Sequence, residues 1–332
     1  MFFPVGDTPN PPGFRAWTTW TLIALNVAVY LFLSLPLSVA APDPADPLLG
    51  EWLRVMLPRL PAGTDPRALA AQVSATDLLN YAHGYKPAAP SAADLLSSMF
   101  LHGGALHLAG NMLFLWIYGD NVEHRLGRLP FLLAYLLTGA AATLAFALLE
   151  PASMVPLVGA SGAISGVLGM YFLWFPHNRV KVFLAFFPFL VQVVLVPARV
   201  VLGIYLVIDN LLPMLAGGGG GVAHGAHLGG FLAGLGLAWL VMRSGFRVGR
   251  QVLAEVAQVR ARPVPGGSDP AARRVRQAEA ELAAGELWLQ QGQTVAAYQH
   301  LARAARLDPE GPAGARAQAL LAALPGLYRR PG

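Results

Sequence analysis

Four polar side chains interrupt otherwise apolar runs: His107, Asn111, Ser161 and His227. His107 and Asn111 are four residues apart, a spacing that puts both on one helix face. Ser161 lies in Gly159-Ala160-Ser161-Gly162. His227 lies in His224-Gly225-Ala226-His227-Leu228-Gly229-Gly230, with Gly234 a turn later. A serine hydroxyl is a weak nucleophile until a base takes its proton, and imidazole does this well near neutral pH. An asparagine and a second histidine can donate hydrogen bonds to the oxyanion that acyl transfer creates. Together these residues have the chemistry of a serine hydrolase, provided the fold brings them to one place.

The elements that carry them are hydrophobic. Of 332 residues, 55% are hydrophobic and 12% charged, and a soluble chain of this length carries about twice that charged share. The apolar residues gather between Ala16 and Met242, and charge returns at Arg243-Ser244-Gly245-Phe246-Arg247. About twenty apolar residues span a bilayer as a helix. Six runs qualify: Ala16 to Ala40, Ser97 to Tyr118, Leu129 to Leu149, Gly159 to Phe175, Arg199 to Leu215, and Val222 to Met242. A seventh stretch, Val180 to Val196, is broken by Pro188 and Pro197 and reads as a cytoplasmic interfacial segment leading into span five. The segment Met1 to Arg15 is polar and proline-rich, unlike the opening of a signal peptide, so the first run is expected to stay as a span.

Basic residues give the orientation. Arg15, Arg125, Arg128, Arg179, Lys181, Arg243, Arg247 and Arg250 flank one set of span ends, whereas Glu150 to Val158 and Ala216 to Gly221 hold no Lys or Arg. Both termini are therefore expected in the cytoplasm and the long loop Ala41 to Leu96 outside, in a multi-pass protein of a bacterial cytoplasmic membrane. Spans two, four and six then run inward from the outer face, each with its polar residues in roughly the first ten positions. At 1.5 Å rise per residue, His107, Asn111, Ser161 and His227 reach similar depth. The net charge of +5 is accounted for by these flanking residues, and no basic patch interleaved with aromatics points to nucleic acid. There is no cysteine, hence neither disulfide nor thiolate metal site; no metal or cofactor is expected.

Each residue also has a plainer role. A serine in a membrane helix commonly bonds its own i−4 carbonyl. An intramembrane histidine can relay protons, and an asparagine can tie helices together. Gly159 to Ala163 is not the hydrolase elbow, because Ala163 takes the place of its last glycine. Convergence of four such residues at one depth favours catalysis. His224 is a second candidate base, one turn shallower and without the glycine pattern that follows His227. Asp209 in span five is most simply a polar residue near a helix end.

With these motifs the chain resembles the rhomboid family of intramembrane serine proteases. The resemblance covers roughly Trp17 to Met242. It rests on His102 with His107-Leu108-Ala109-Gly110-Asn111, on Gly159-Ala160-Ser161-Gly162, and on Ala226-His227-Leu228-Gly229-Gly230-Phe231-Leu232-Ala233-Gly234; Gly119, Glu123 and Gly127 also fit. It implies an all-α fold, a six-helix membrane bundle, with a Ser161–His227 dyad that has no aspartate. His107, Asn111 and the Ser161 backbone N–H would be the oxyanion donors. His102, Gly159, Gly162, Gly230 and Gly234 would be neighbours of the site. Substrates would be transmembrane-helix proteins, entering sideways past span five and cut near small, helix-destabilising residues. In some members a tyrosine four residues after the serine packs on the base; here that position is Ser165, which leaves open what orients His227.

The membrane domain is expected over residues 1–250, a Pro/Gly linker over 251–271, and a helical cytoplasmic tail over 272–332. Ala284-Gly285, Trp288, Gly292, Ala297, Leu301, Ala304 and Pro309 fall at the spacing of one tetratricopeptide-like hairpin. A single repeat cannot bury its own faces, so the tail pairs with Ala313 to Leu324, dimerises or binds a protein partner. Two other readings compete with the protease: a catalytically inactive rhomboid-like protein that binds membrane helices, and a transporter. A transporter would show internal symmetry between halves, and no such repeat is seen.

Overall fold

The structure, a computed structural model, describes residues 2–10, 14–186, 190–216, 223–243, 270–290 and 294–324. The chain divides into two compact units, Met1–Ser244 and Gly245–Gly332. The expected linker lies almost wholly outside the described residues.

The first unit is mostly helical. It opens with a strand, β1 (Phe2–Thr8), and continues into α1 (Trp17–Ser38). Four short helices follow, α2 (Pro47–Met56), α3 (Pro66–Ala70), α4 (Ala75–His83) and α5 (Ala92–Ser97). Each starts at a side-chain cap, from Asp46, Asp65, Ser74 and Ser91 in turn, which satisfies amide groups the helix leaves unpaired. Then come α6 (Ala105–Leu126), α7 (Arg128–Leu149) and α8 (Ser161–Trp174). Strands β2 (Arg179–Phe186) and β3 (Leu190–Pro197) lead into α9 (Ala198–Leu215) and α10 (His224–Arg243).

Helices α1, α7, α9 and α10 are long and apolar enough to cross a membrane. The runs expected as spans two and four differ from that standard. Helix α6 has 22 residues but ends in a polar turn with Asp120, Glu123 and Arg125, and α8 has only 14 residues. At 1.5 Å per residue α8 is roughly 21 Å long, shorter than a hydrocarbon core. Every residue from Gly162 to Tyr171 is buried, because α8 is the central helix, enclosed by protein where a lipid-facing span would be exposed on one side. Helix α6 starts later than expected. The segment Met99 to Gly104 is loop, so His102 precedes the helix.

Glu123 explains how α6 holds α1. Its carboxylate accepts Thr18 N–H at 2.9 Å, Thr19 N–H at 2.7 Å and the Thr19 hydroxyl at 2.7 Å, and the residue is fully buried. These are the amide groups that a helix start leaves free, and the positive end of the helix favours a carboxylate there.

The stretch expected as an interfacial segment is an antiparallel hairpin. Strand β2 pairs with β3, from Arg179 opposite Pro197 to Phe186 opposite Leu190, and β1 pairs antiparallel on the other side of β2, with Phe3 opposite Phe183. The sheet order is β1-β2-β3. Within β1, Asp7 is buried and accepts hydrogen bonds from Asn121 Nδ2 at 2.9 Å and from the Tyr171 hydroxyl at 2.5 Å. Its other oxygen has no partner among the described residues. Burial outweighs those bonds and raises the Asp7 carboxyl to a pKa of about 6.

The second unit contains α11 (Pro270–Gln290), α12 (Thr294–Leu307) and α13 (Pro312–Ala322). Ala284, Ala297, Leu301 and Ala304 are buried, and so is Ala317 of α13. A Cβ on Gly285 would stand 2.6 Å from Leu301 Cγ, so glycine there lets α11 and α12 approach closely. Gly292 lies outside the described residues.

Candidate active site

Ser161 is the first residue of α8, reached through a turn that needs glycine. Gly159 has φ +120°, and a Cβ there would come within 2.8 Å of the His107 imidazole. Both the backbone sign and the space exclude a side chain. The Gly159 N–H is held by Ser98 O at 2.8 Å. The hydroxyl of Ser161 thus enters the cavity from a helix start whose first amide groups lie outside the helical ladder.

His227 lies on α10, and its Nε2 is 2.8 Å from Ser161 Oγ. The two helices meet backbone to backbone. A Cβ on Gly230 would clash with the Gly162 carbonyl, and one on Gly234 would stand 2.6 Å from the Gly166 carbonyl carbon. A Cβ on Gly162 would come within 2.7 Å of Ala142 Cβ of α7. Small residues at these positions are what allows a serine and a histidine from different helices to touch.

His107 and Asn111, on one face of α6, border the same space. Asn111 is buried, and among the described residues its Nδ2 has no hydrogen-bond partner. His107 Nδ1 accepts the Gly103 N–H at 3.4 Å. His102 is buried behind it, its ring edge-on to His107 at 5.2 Å between centroids. The structure therefore gathers Ser161, His227, His107 and Asn111 around one cavity of about 1000 Å³. His224 is buried one turn away and makes no bond to Ser161; its Nδ1 has no partner among the described residues.

Helix α9 supplies two residues that sequence reasoning missed. Asn210 Oδ1 is 2.7 Å from His227 Nδ1. Tyr205 lies beside the histidine, its ring centroid 6.3 Å from that of the imidazole, and its hydroxyl is 2.8 Å from Ser165 Oγ. The tyrosine absent from position 165 is thus replaced by one from another helix, anchored on the serine that stands there. The neighbouring Asp209 is exposed, whereas Asn210 is buried. The available signal was an asparagine in an apolar run, the same kind of signal that picked out Asn111.

The first unit is a mostly helical domain with four helices of membrane-spanning length, and it holds a hydrogen-bonded serine and histidine facing a cavity. Comparison with known proteins makes this more specific. The model of the Rhomboid domain matches residues 90–244. Rhomboid-like protein 11, chloroplastic, of Arabidopsis thaliana is 31% identical over 158 residues, covering 46% of this chain and 54% of that protein. Rhomboid protein 1, mitochondrial, of Saccharomyces cerevisiae is 37% identical over 98 residues, 28% of each chain. Rhomboid protease GluP of Bacillus subtilis is 43% identical over 90 residues, covering 27% of this chain and 17% of that protein. No solved structure gives a significant match. The chain thus carries a Rhomboid domain over residues 90–244 and is an integral membrane protein. Its matches span about half, or less, of the length of these relatives. They come from chloroplast, mitochondrion and bacterium, so they do not single out a bacterial membrane.

Proposed function

We propose that the protein is an intramembrane serine protease that hydrolyses peptide bonds in or near transmembrane helices of membrane-protein substrates. The observation that carries this reading is the 2.8 Å approach of His227 Nε2 to Ser161 Oγ at the edge of a cavity. Beside them Asn111 Nδ2 is an unused donor.

In the reaction, Ser161 Oγ attacks the substrate carbonyl carbon as its proton passes to His227 Nε2. The new C–O bond places negative charge on the former carbonyl oxygen. Asn111 Nδ2, His107 and the Ser161 backbone N–H stabilise that charge. The imidazolium then gives its proton to the leaving amine as the peptide C–N bond breaks, and water releases the acyl group by the same route in reverse order. The substrate segment must be unwound to enter, because a helical peptide bond is shielded by its own turn. The reading keeps the orientation drawn from the basic residues, and the tail enters it as a helical unit for a protein partner, without a chemical step.

A fluorophosphonate probe and a model transmembrane substrate test it in detergent. The wild-type protein should be labelled at Ser161 and should cut the substrate. Ser161→Ala should lose both activities, and His227→Ala nearly as much, since members of a catalytic unit act non-additively. His224→Ala should keep most activity. Labelling at Ser165 would put the site one helical turn away from Ser161, and a folded wild-type protein that neither labels nor cuts would favour the inactive helix-binding alternative.

A further inference from the structure

The resemblance to known rhomboids leaves His227 without an assigned partner for its second nitrogen. Helix α9 provides one. Residues Val207–Leu211 form a π-helical turn, a local widening that is often found where function needs a side chain re-aimed. It turns Asn210 inward and leaves Asp209 outside: Asn210 is buried at 1% exposure, and Asp209 is exposed.

The two ends of the Asn210 amide are distinguished by their partners. Nδ2 lies 2.7 Å from the Tyr205 backbone carbonyl, and a carbonyl can only accept, so the amide nitrogen must face it. Oδ1 is then fixed as the atom facing His227, 2.7 Å from Nδ1. An amide oxygen can only accept, so Nδ1 must carry the proton. A neutral imidazole protonated at Nδ1 has its lone pair on Nε2, and Nε2 is the atom 2.8 Å from Ser161 Oγ. The chain of bonds runs Tyr205 carbonyl, Asn210, His227, Ser161, and each link sets the sense of the next.

We infer that Asn210 is the positioning residue of this site. It holds His227 in the tautomer and ring orientation in which Nε2 can take the serine proton, and it receives the Nδ1–H bond that strengthens when the ring becomes cationic. This inference rests on the protease reading for its rate consequence, but its structural claim, the Nδ1–H tautomer, stands apart from turnover. The neutral amide fills the place that a carboxylate takes in a Ser-His-Asp triad. The same helix adds Tyr205 beside the ring, so α9 supports the base from two sides.

Two measurements test it on the full-length protein in detergent. In cleavage of a model transmembrane substrate, Asn210→Ala should lower kcat about tenfold to a hundredfold, the usual cost of losing a residue that orients a functional histidine. KM should stay close to wild type. Asn210→Asp, whose carboxylate accepts the same Nδ1–H bond, should recover most of the lost kcat. A folded Asn210→Ala protein with wild-type kcat, or a loss confined to KM, overturns the inference. So does a folded Asn210→Asp protein as inactive as Ser161→Ala.

The second measurement holds even for a protein that cuts nothing. Nitrogen-15 spectra of histidine-labelled protein, with the His227 signals assigned by their loss in His227→Ala, should show a protonated Nδ1 in the wild type. A wild-type ring protonated at Nε2 instead overturns the inference whether or not Asn210→Ala folds.

Discussion

Replacing Gly234 by alanine adds one methyl group where α8 and α10 touch backbone to backbone. The new Cβ would stand 2.6 Å from the Gly166 carbonyl carbon and 2.8 Å from its Cα, where ordinary contact begins at 3.4 Å. Neither atom belongs to a side chain that can swing away, so the helices must separate by roughly 1 Å at this level in a core with no spare volume. The Ser161–His227 contact joins the same two helices at 2.8 Å. If half or more of that separation reaches it, the contact lengthens to roughly 3.3–3.8 Å, toward or past the range of a useful hydrogen bond. Overpacking of this kind costs about 1–3 kcal/mol of stability, and a misplacement of ~1 Å can lower turnover about a hundredfold. Gly236→Ala on the same helix is the control, because a Cβ there meets nothing within 4 Å. Thermal unfolding in detergent and kcat on a model transmembrane substrate should show Gly234→Ala damaged in both and Gly236→Ala in neither. Equal damage in the two variants, or an undamaged Gly234→Ala, would refute the reasoning.

Asn111→Ala should lower kcat about a hundredfold to a thousandfold, the usual loss for one oxyanion donor. Its unfolding temperature should barely move, because Nδ2 has no partner in the fold to orphan; a variant with normal kcat counts against the donor role. Asp7 should make stability depend on pH. Its folded pKa is raised from 3.8 to about 6, so its contribution is fully present below pH 4 and is lost as pH rises through about 6. The full difference is on the order of 3 kcal/mol. Unfolding followed at pH 4.5 and pH 7.5 should show the wild type losing more stability on the alkaline side than Asp7→Asn, and identical pH slopes in the two proteins would dispose of the idea.

The site was legible wherever a polar residue broke a long apolar run in regular helix. His107, Asn111, Ser161 and His227 could be aligned by depth because helical rise is constant, and the structure brings all four to one cavity. Asn210 escaped because its direction depends on the π turn at Val207–Leu211; counting at 3.6 residues per turn gives no warning of such an insertion. Tyr205 was hidden by the expectation that a tyrosine near the base would follow the serine on its own helix. In Arg179-Val180-Lys181-Val182 the period-2 alternation of a strand is present, but the breaks at Pro188 and Pro197 point instead to an interfacial segment. The partner of β2 on one side is β1, far away in sequence, and local pattern carries no record of such a pairing. Helix α8 counts as a full-length span in the sequence because an apolar run has the same composition whether protein or lipid surrounds it.

That remote pairing also bears on how the chain is made. Strand β1 leaves the ribosome long before β2, yet Phe3 finds its partner in Phe183. At about 5–20 residues per second, the intervening chain takes roughly ten to forty seconds to synthesise. Throughout that interval the first strand waits with an unpaired edge, while α1, α6, α7 and α8 are threaded past it. The closing of the sheet is therefore a late event in biogenesis. It joins the two ends of the segment that holds the nucleophile's helix, like a clasp fastened after that helix has been laid down.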